Sequence, residues 1–158
     1  MEQAISARLD FGAHAAGFLR ALAHLDQAAT KELDAVEFDV RLRELVRIRT
    51  SQLNGCAYCI DMHTKDARAA GESEQRIYAL PAWRETPFFT DRERAALALT
   101  ESITLMAETH VPEHDFAQAA DHFKADELAA LISLIVTGNA WNAIGVSTRA
   151  WVPGSYQP

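Results

Sequence analysis

Apolar residues in this chain recur three and four positions apart, and no stretch alternates apolar and polar long enough to read as a strand. Asn54-Gly55, Gly71, Pro81 and Pro112 punctuate the periodic stretches where helices should stop or start. The chain is therefore expected to be all-α, a single domain over residues 1–158, built as a helical bundle of about six or seven helices. A first helix is expected over Asp10–Gln27, with Phe11, Phe18, Leu19, Leu22 and Leu25 as packing residues. A second follows over Lys31–Leu53, where Phe38, Leu42, Leu45, Val46, Arg49 and Leu53 share a face. A third starts near Cys56 and ends at Gly71, and Ser73 caps a short fourth that Pro81 ends. Residues 81–89 read as a loop with aromatic anchors at Trp83, Phe88 and Phe89. Thr90 and Glu93 then form a capping box for a helix bearing Ala95, Leu99, Ile103 and Met106. Pro112 opens a short helix. Asp126 caps the last one, Glu127–Thr148, whose nearly continuous apolar surface predicts a central or inter-subunit position.

Charge narrows the function classes. Fifteen Lys and Arg against 22 Asp and Glu give a formal net charge of −7, with no basic block, so neither nucleic acid nor an anionic membrane is an expected partner. Arg41, Arg43, Arg47 and Arg49 read as a solvated face or as subunit ion pairs. The most apolar run, Leu128–Val136, is too short to span a bilayer, and Glu2, Arg8 and Asp10 interrupt any signal-peptide core. A cytoplasmic protein is expected.

Cys56 and Cys59, the two cysteines of the chain, form one C-x-x-C. In a reducing compartment such a pair is redox-active or metal-binding more often than a structural staple. On a helix, Cys56, Cys59 and His63 share one face. A free thiol, with a pKa of about 8.5, is mostly protonated at neutral pH and needs activation. The helix N-terminus favours Cys56 as the thiolate. A histidine one turn away favours Cys59. Two cysteines three apart can also close a disulfide. Glu44, on the preceding helix, is brought near if the Asn54-Gly55 turn folds that helix back; its alternative is a surface carboxylate paired with Arg41 or Arg47. Zinc held by Cys56, Cys59, His63 and Glu44 is a further alternative, although structural zinc usually draws a second ligand pair from elsewhere. Asn139, Trp141 and Asn142 lie on an apolar helix and are expected to pin neighbouring backbone.

The spacing E-x11-C-x-x-C-x3-H at Glu44, Cys56, Cys59 and His63 resembles the core motif of AhpD-like alkylhydroperoxidases, within the carboxymuconolactone decarboxylase superfamily. The surrounding ELVRIRTSQLNGCAYCIDMHTKDARAAGE, WRETPFFTDRERAALALTE and NAWNAIG are similar too, and the likeness spans roughly residues 30–150. The resemblance implies a cysteine-based alkyl hydroperoxidase with peroxiredoxin-type activity. Cys59 would be the peroxidatic thiol, Cys56 the resolving thiol, and Glu44 with His63 the proton relay. It implies no cofactor or metal. It also implies regeneration by an external dithiol (a lipoyl adaptor or a thioredoxin-like donor) and a homo-oligomer, trimer or hexamer, with its site near a subunit interface. Tyr58 stands where the founding branch has a relay histidine, and a phenol is a poor base near neutral pH. A decarboxylase-like lyase and a non-catalytic redox-sensing protein are the competing readings. The lyase has no need of a dithiol.

Overall fold

The computed structural model describes residues 5–158, so Glu2 and the first positions of the expected 1–158 domain lie outside the described residues. Among these residues the chain is helical, without a strand. The helices are α1 (Phe11–His14), α2 (Ala16–Ala35), α3 (Val40–Asn54), α4 (Ala57–Ala69), α5 (Glu74–Ala79), α6 (Asp91–Thr104), α7 (Met106–Thr109), α8 (Glu113–His122) and α9 (Ala125–Thr148). A 3-10 segment, Leu80–Glu85, joins α5 to the loop before α6.

The local signals explain most boundaries. Asp39 accepts the backbone N–H of Leu42 and starts α3, while Gly55, in the left-handed region at φ 69°, ends it. Ser73 caps α5, and Thr90 and Glu93 form the expected capping box on α6. Other expectations are corrected. The first helix breaks at Ala15 and then continues to Ala35, beyond the expected end at Gln27. The expected second helix begins at Val40 instead of Lys31, because Lys31 still belongs to α2 and Asp39 caps the new helix after the break at Glu37. The third helix does start near Cys56, which is the N-cap of α4. Much of the expected 81–89 loop is 3-10 helix, with Pro81 tolerated in its first turn. Lys124, not Asp126, is the N-cap of α9, and Glu127 accepts its backbone N–H.

Helix α3 is the hub, packing on α4, α6 and α9, while α2 lies along α9 and α8 along α6. One core cluster gathers Leu33, Phe38, Leu42, Val46, Leu99, Leu131, Leu134 and Ile135. A second holds Leu45, Ile48, Leu80, Trp83, Phe89 and Leu97. Phe88 is exposed, so only two of the three aromatic anchors are buried. Of the packing residues expected on the first helix, Leu22 alone is buried; Phe18 and Leu25 are exposed, as is Met106. The expected solvated arginine face is also corrected. Arg43 is buried and bonds Asp34 and the Phe38 carbonyl, and Arg49 donates to Glu101 at 2.9 Å. The Trp83 indole and Arg84 converge on the same Glu101 carboxylate, tying the 3-10 segment to α6.

By length and composition α9 could cross a membrane, contrary to the reading of Leu128–Val136 alone. Here it packs on α2, α3, α6 and α8, while Val136 and Val146 stay exposed.

Candidate functional site

The tight Asn54-Gly55 turn folds α4 back along α3. That reversal sets the C-x-x-C and His63 of α4 opposite Glu44 of α3. Cys56 and Cys59 are joined as a disulfide with Cα atoms 5.3 Å apart, a spacing ordinary for such a bond. Both are buried.

Glu44 is buried too, so the surface-carboxylate alternative fails. Its Oε1 accepts Arg47 Nη1 at 2.5 Å, and its Oε2 lies 3.2 Å from Nδ1 of His63. That second contact has ion-pair distance without a well-directed hydrogen bond, and neither atom has another partner among the described residues. Burial pushes the Glu44 carboxyl up, but the His63 contact and the Arg47 guanidinium outweigh it and hold the group below the ordinary glutamate value. Glu44 is therefore an ionised carboxylate at neutral pH, facing an imidazole. Arg41 takes no part: its nearest carboxylate is Asp39, at 3.9 Å.

A cavity of about 540 Å³ opens beside His63, with Glu44 behind its wall. Cys59, His63, Arg47 and Tyr58 line it, together with Met62, Trp141 and Trp151. Cys56 is not in its wall. Tyr58 does not extend the Glu44–His63 pair; its ring packs against Trp151, with centroids 5.8 Å apart.

Three contributors were missed by sequence reasoning. Asp66 lies one turn beyond His63 on α4, and helical spacing could have found it. Its Oδ1 accepts the Tyr156 hydroxyl at 2.7 Å, which pushes the Tyr156 pKa up to about 12. Trp151 and Tyr156 belong to the tail after α9, where no periodicity signals a role. The tail is tied down where Gly154 N–H donates to Asp61 and Lys65 Nζ donates to the Tyr156 carbonyl, both at 2.9 Å.

Asn139 and Asn142 do more than pin backbone. The Asn54 side-chain amide donates to both of their Oδ1 atoms, at 2.9 and 3.0 Å, and Asn142 Nδ2 donates to Ser51. The network clamps the end of α3, and with it the turn before Cys56, onto α9.

Ligand atoms of Glu44, His63 and Asp66 lie within 4.8 Å of one another, a set that could hold a metal ion. It differs from the expected zinc set, because the two cysteines are bonded to each other. The carboxylate of Glu44 is already engaged by a guanidinium, and that of Asp66 by a phenol. A cation would have to share both.

This architecture defines a class. The chain belongs to the carboxymuconolactone decarboxylase family, whose model matches residues 16–102. It is 48% identical over 105 residues to the uncharacterized protein YdfG of Bacillus subtilis (strain 168), covering 66% of this chain and 71% of that one. It is 32% identical over 97 residues to the uncharacterized protein YnjA of Escherichia coli (strain K12), covering 61% of this chain and 53% of YnjA. The fold matches a crystal structure from Agrobacterium tumefaciens with a TM-score of 0.86 and 32% identity, over 94% of this chain and 99% of that one. That protein is described as being of unknown function and as a candidate AhpD antioxidant defence protein. The fold alone is shared with the debrominase Bmp8 bound to 2,3,4-tribromopyrrole: TM-score 0.73, 16% identity, 90% of this chain and 74% of the other. The AhpD-like assignment of the sequence and its all-α class both stand.

Proposed function

We propose that this protein is a thiol peroxidase that reduces hydroperoxides through the Cys56–Cys59 dithiol–disulfide couple. One observation carries the reading: Cys59 lines the same cavity as His63, which faces the ionised Glu44, whereas its disulfide partner Cys56 does not line that cavity. In the reduced protein the Cys59 thiolate attacks the terminal oxygen of ROOH. The S–O bond forms as the O–O bond breaks, and the leaving alkoxide takes a proton from His63 to depart as ROH. Cys56 then attacks the sulfenic sulfur, water leaves, and the disulfide closes. Glu44, ionised and 3.2 Å from Nδ1, holds the imidazole through its change of charge.

An external dithiol regenerates the thiols, and a reducing cytoplasm is the compartment that suits the cycle. The reading includes a homo-oligomer, trimer or hexamer. The exposed Phe18 and Leu25 on α2, with Val136 and Val146 on α9, are the apolar surface it would cover. Light scattering on the purified protein measures the subunit number.

The test is a rapid thiol count on the reduced protein after one equivalent of cumene hydroperoxide. Loss of both thiols, much faster than for a free thiol, is expected in the wild type. Cys56→Ser should accumulate a sulfenic acid and Cys59→Ser should not. Thiols reacting no faster than a free thiol would overturn the reading.

A further inference from the structure

The two cysteines of the disulfide, each 2% exposed, line different concavities. Cys59 lines the large cavity with His63. Cys56 lines a second concavity of about 250 Å³. Tyr58 and Trp151 line both, so this aromatic pair is the wall between them. The two concavities differ in charge. The first carries carboxylates at Asp26 and Asp66, and its one arginine, Arg47, is paired with Glu44. The described lining of the second has Arg8 and Arg149 and no carboxylate, and the rest of that lining is largely apolar. Neither arginine is within ion-pair distance of an acidic group among the described residues. The Arg8 guanidinium donates to the Val146 carbonyl, and its backbone N–H to the Thr148 carbonyl. In a chain of net charge −7, a positive pair flanking one sulfur of a disulfide is a local inversion of the field.

We propose that this second concavity is the reductant site, and that it takes a small anionic thiol which attacks Cys56. The proposal rests on the dithiol cycle above and adds where, and by what chemistry, the cycle is closed. The thiolate RS⁻ attacks Cys56 Sγ, forming an RS–S bond as the Cys56–Cys59 bond breaks. The electron pair goes to Cys59, which leaves as a thiolate. Attack at Cys56 makes Cys59 the leaving group, and Cys59 shares its cavity with His63, which can give it a proton. A better-stabilised leaving thiolate departs faster. A second RS⁻ attacks the R sulfur of the mixed disulfide, releasing RSSR and a Cys56 thiolate that is protonated by water. Two RSH are thus oxidised as one protein disulfide is reduced. Attack on Cys59 would instead have to come through the cavity that holds Asp26 and Asp66, which repel an anion, while the charge of Arg47 there is offset by Glu44. Oxidation and reduction are thereby given separate entrances on either side of Tyr58 and Trp151.

The experiment uses full-length protein oxidised with diamide, so that no hydroperoxide is involved. Reduction is followed with glutathione, which is anionic, and with cysteamine, which is cationic, each corrected for thiolate fraction. Glutathione is expected to be the faster, with its advantage shrinking as salt is added. Arg8→Glu/Arg149→Glu, checked for unchanged helicity and melting, should reverse that preference by about tenfold or more. Quenching the wild-type reaction with N-ethylmaleimide and mapping the peptides should find glutathione on Cys56 and maleimide on Cys59. Glutathione on Cys59, or a rate ratio that the charge reversal leaves unmoved, would overturn the proposal. The thiol count with cumene hydroperoxide reports separately on the peroxidase reading, so a failure of either is recognisable.

Discussion

Gly145 of α9 lies directly against Cys56: a Cβ at Gly145 would sit 3.0 Å from Cys56 Sγ and 3.2 Å from the Trp151 ring. The helix approaches the disulfide closely because this residue has no side chain. The same contact seats Trp151, whose ring lies 5.9 Å from that of Trp141 and closes one side of the cavity.

Gly145→Ala should therefore displace α9 or Trp151. A loss of about 1–3 kcal/mol is expected, the usual cost of overpacking. Thermal melting of the oxidised protein measures it. An unchanged melting temperature would show that the contact is slack.

Glu44→Gln should slow thiol oxidation by hydroperoxide by about 10²-fold, within the range for losing a proton-transfer partner. The circular dichroism spectrum should be unchanged. A variant that oxidises at the wild-type rate would remove Glu44 from the relay.

The same carboxyl predicts a pH dependence of stability. Its folded pKa is depressed by His63 and Arg47 despite burial. Its contribution is therefore full above the unfolded glutamate value of about 4.3 and is lost as pH falls through the folded value. The difference in melting temperature between wild type and Glu44→Gln should be flat near neutrality and shrink below about pH 4.

Asn142→Leu removes the Ser51 and Asn54 partners from a site that is 1% exposed. Leaving those groups unpaired should cost about 1–3 kcal/mol. Because the clamp holds the turn before Cys56, disulfide closure should slow as well, read as the rate of thiol loss.

Tyr156 should titrate near pH 12, because Asp66 favours the protonated phenol. Difference absorbance at 295 nm between wild type and Tyr156→Phe should isolate that step. A midpoint near the ordinary value of about 10 would mean that the hydroxyl is free of Asp66.

The candidate site was legible where its signal is local. Cys56, Cys59 and His63 share a helical face because 3.6 residues make a turn, and α4 realises that spacing. The Thr90–Glu93 box and the stop at Gly55 are likewise dictated by groups a few residues apart. The expected boundary at Lys31 failed because α2 runs on to Ala35 and the helical run breaks only at Val36–Glu37, just before the Asp39 cap. Another boundary failed where the capping side chain reaches back from inside the helix, as Glu127 does to the Lys124 N–H.

What the sequence by itself determined is the helical class, the C-x-x-C with its histidine, and the turn that reverses the chain before it, because each depends on neighbours within about one helical turn. The tertiary structure decided the rest. It set Glu44 against His63, brought Trp151 and Tyr156 from the tail onto α4, and gave Cys56 and Cys59 separate concavities. Those relationships join residues up to 93 positions apart, as between Asp61 and Gly154, and follow from which faces pack together and not from any local periodicity.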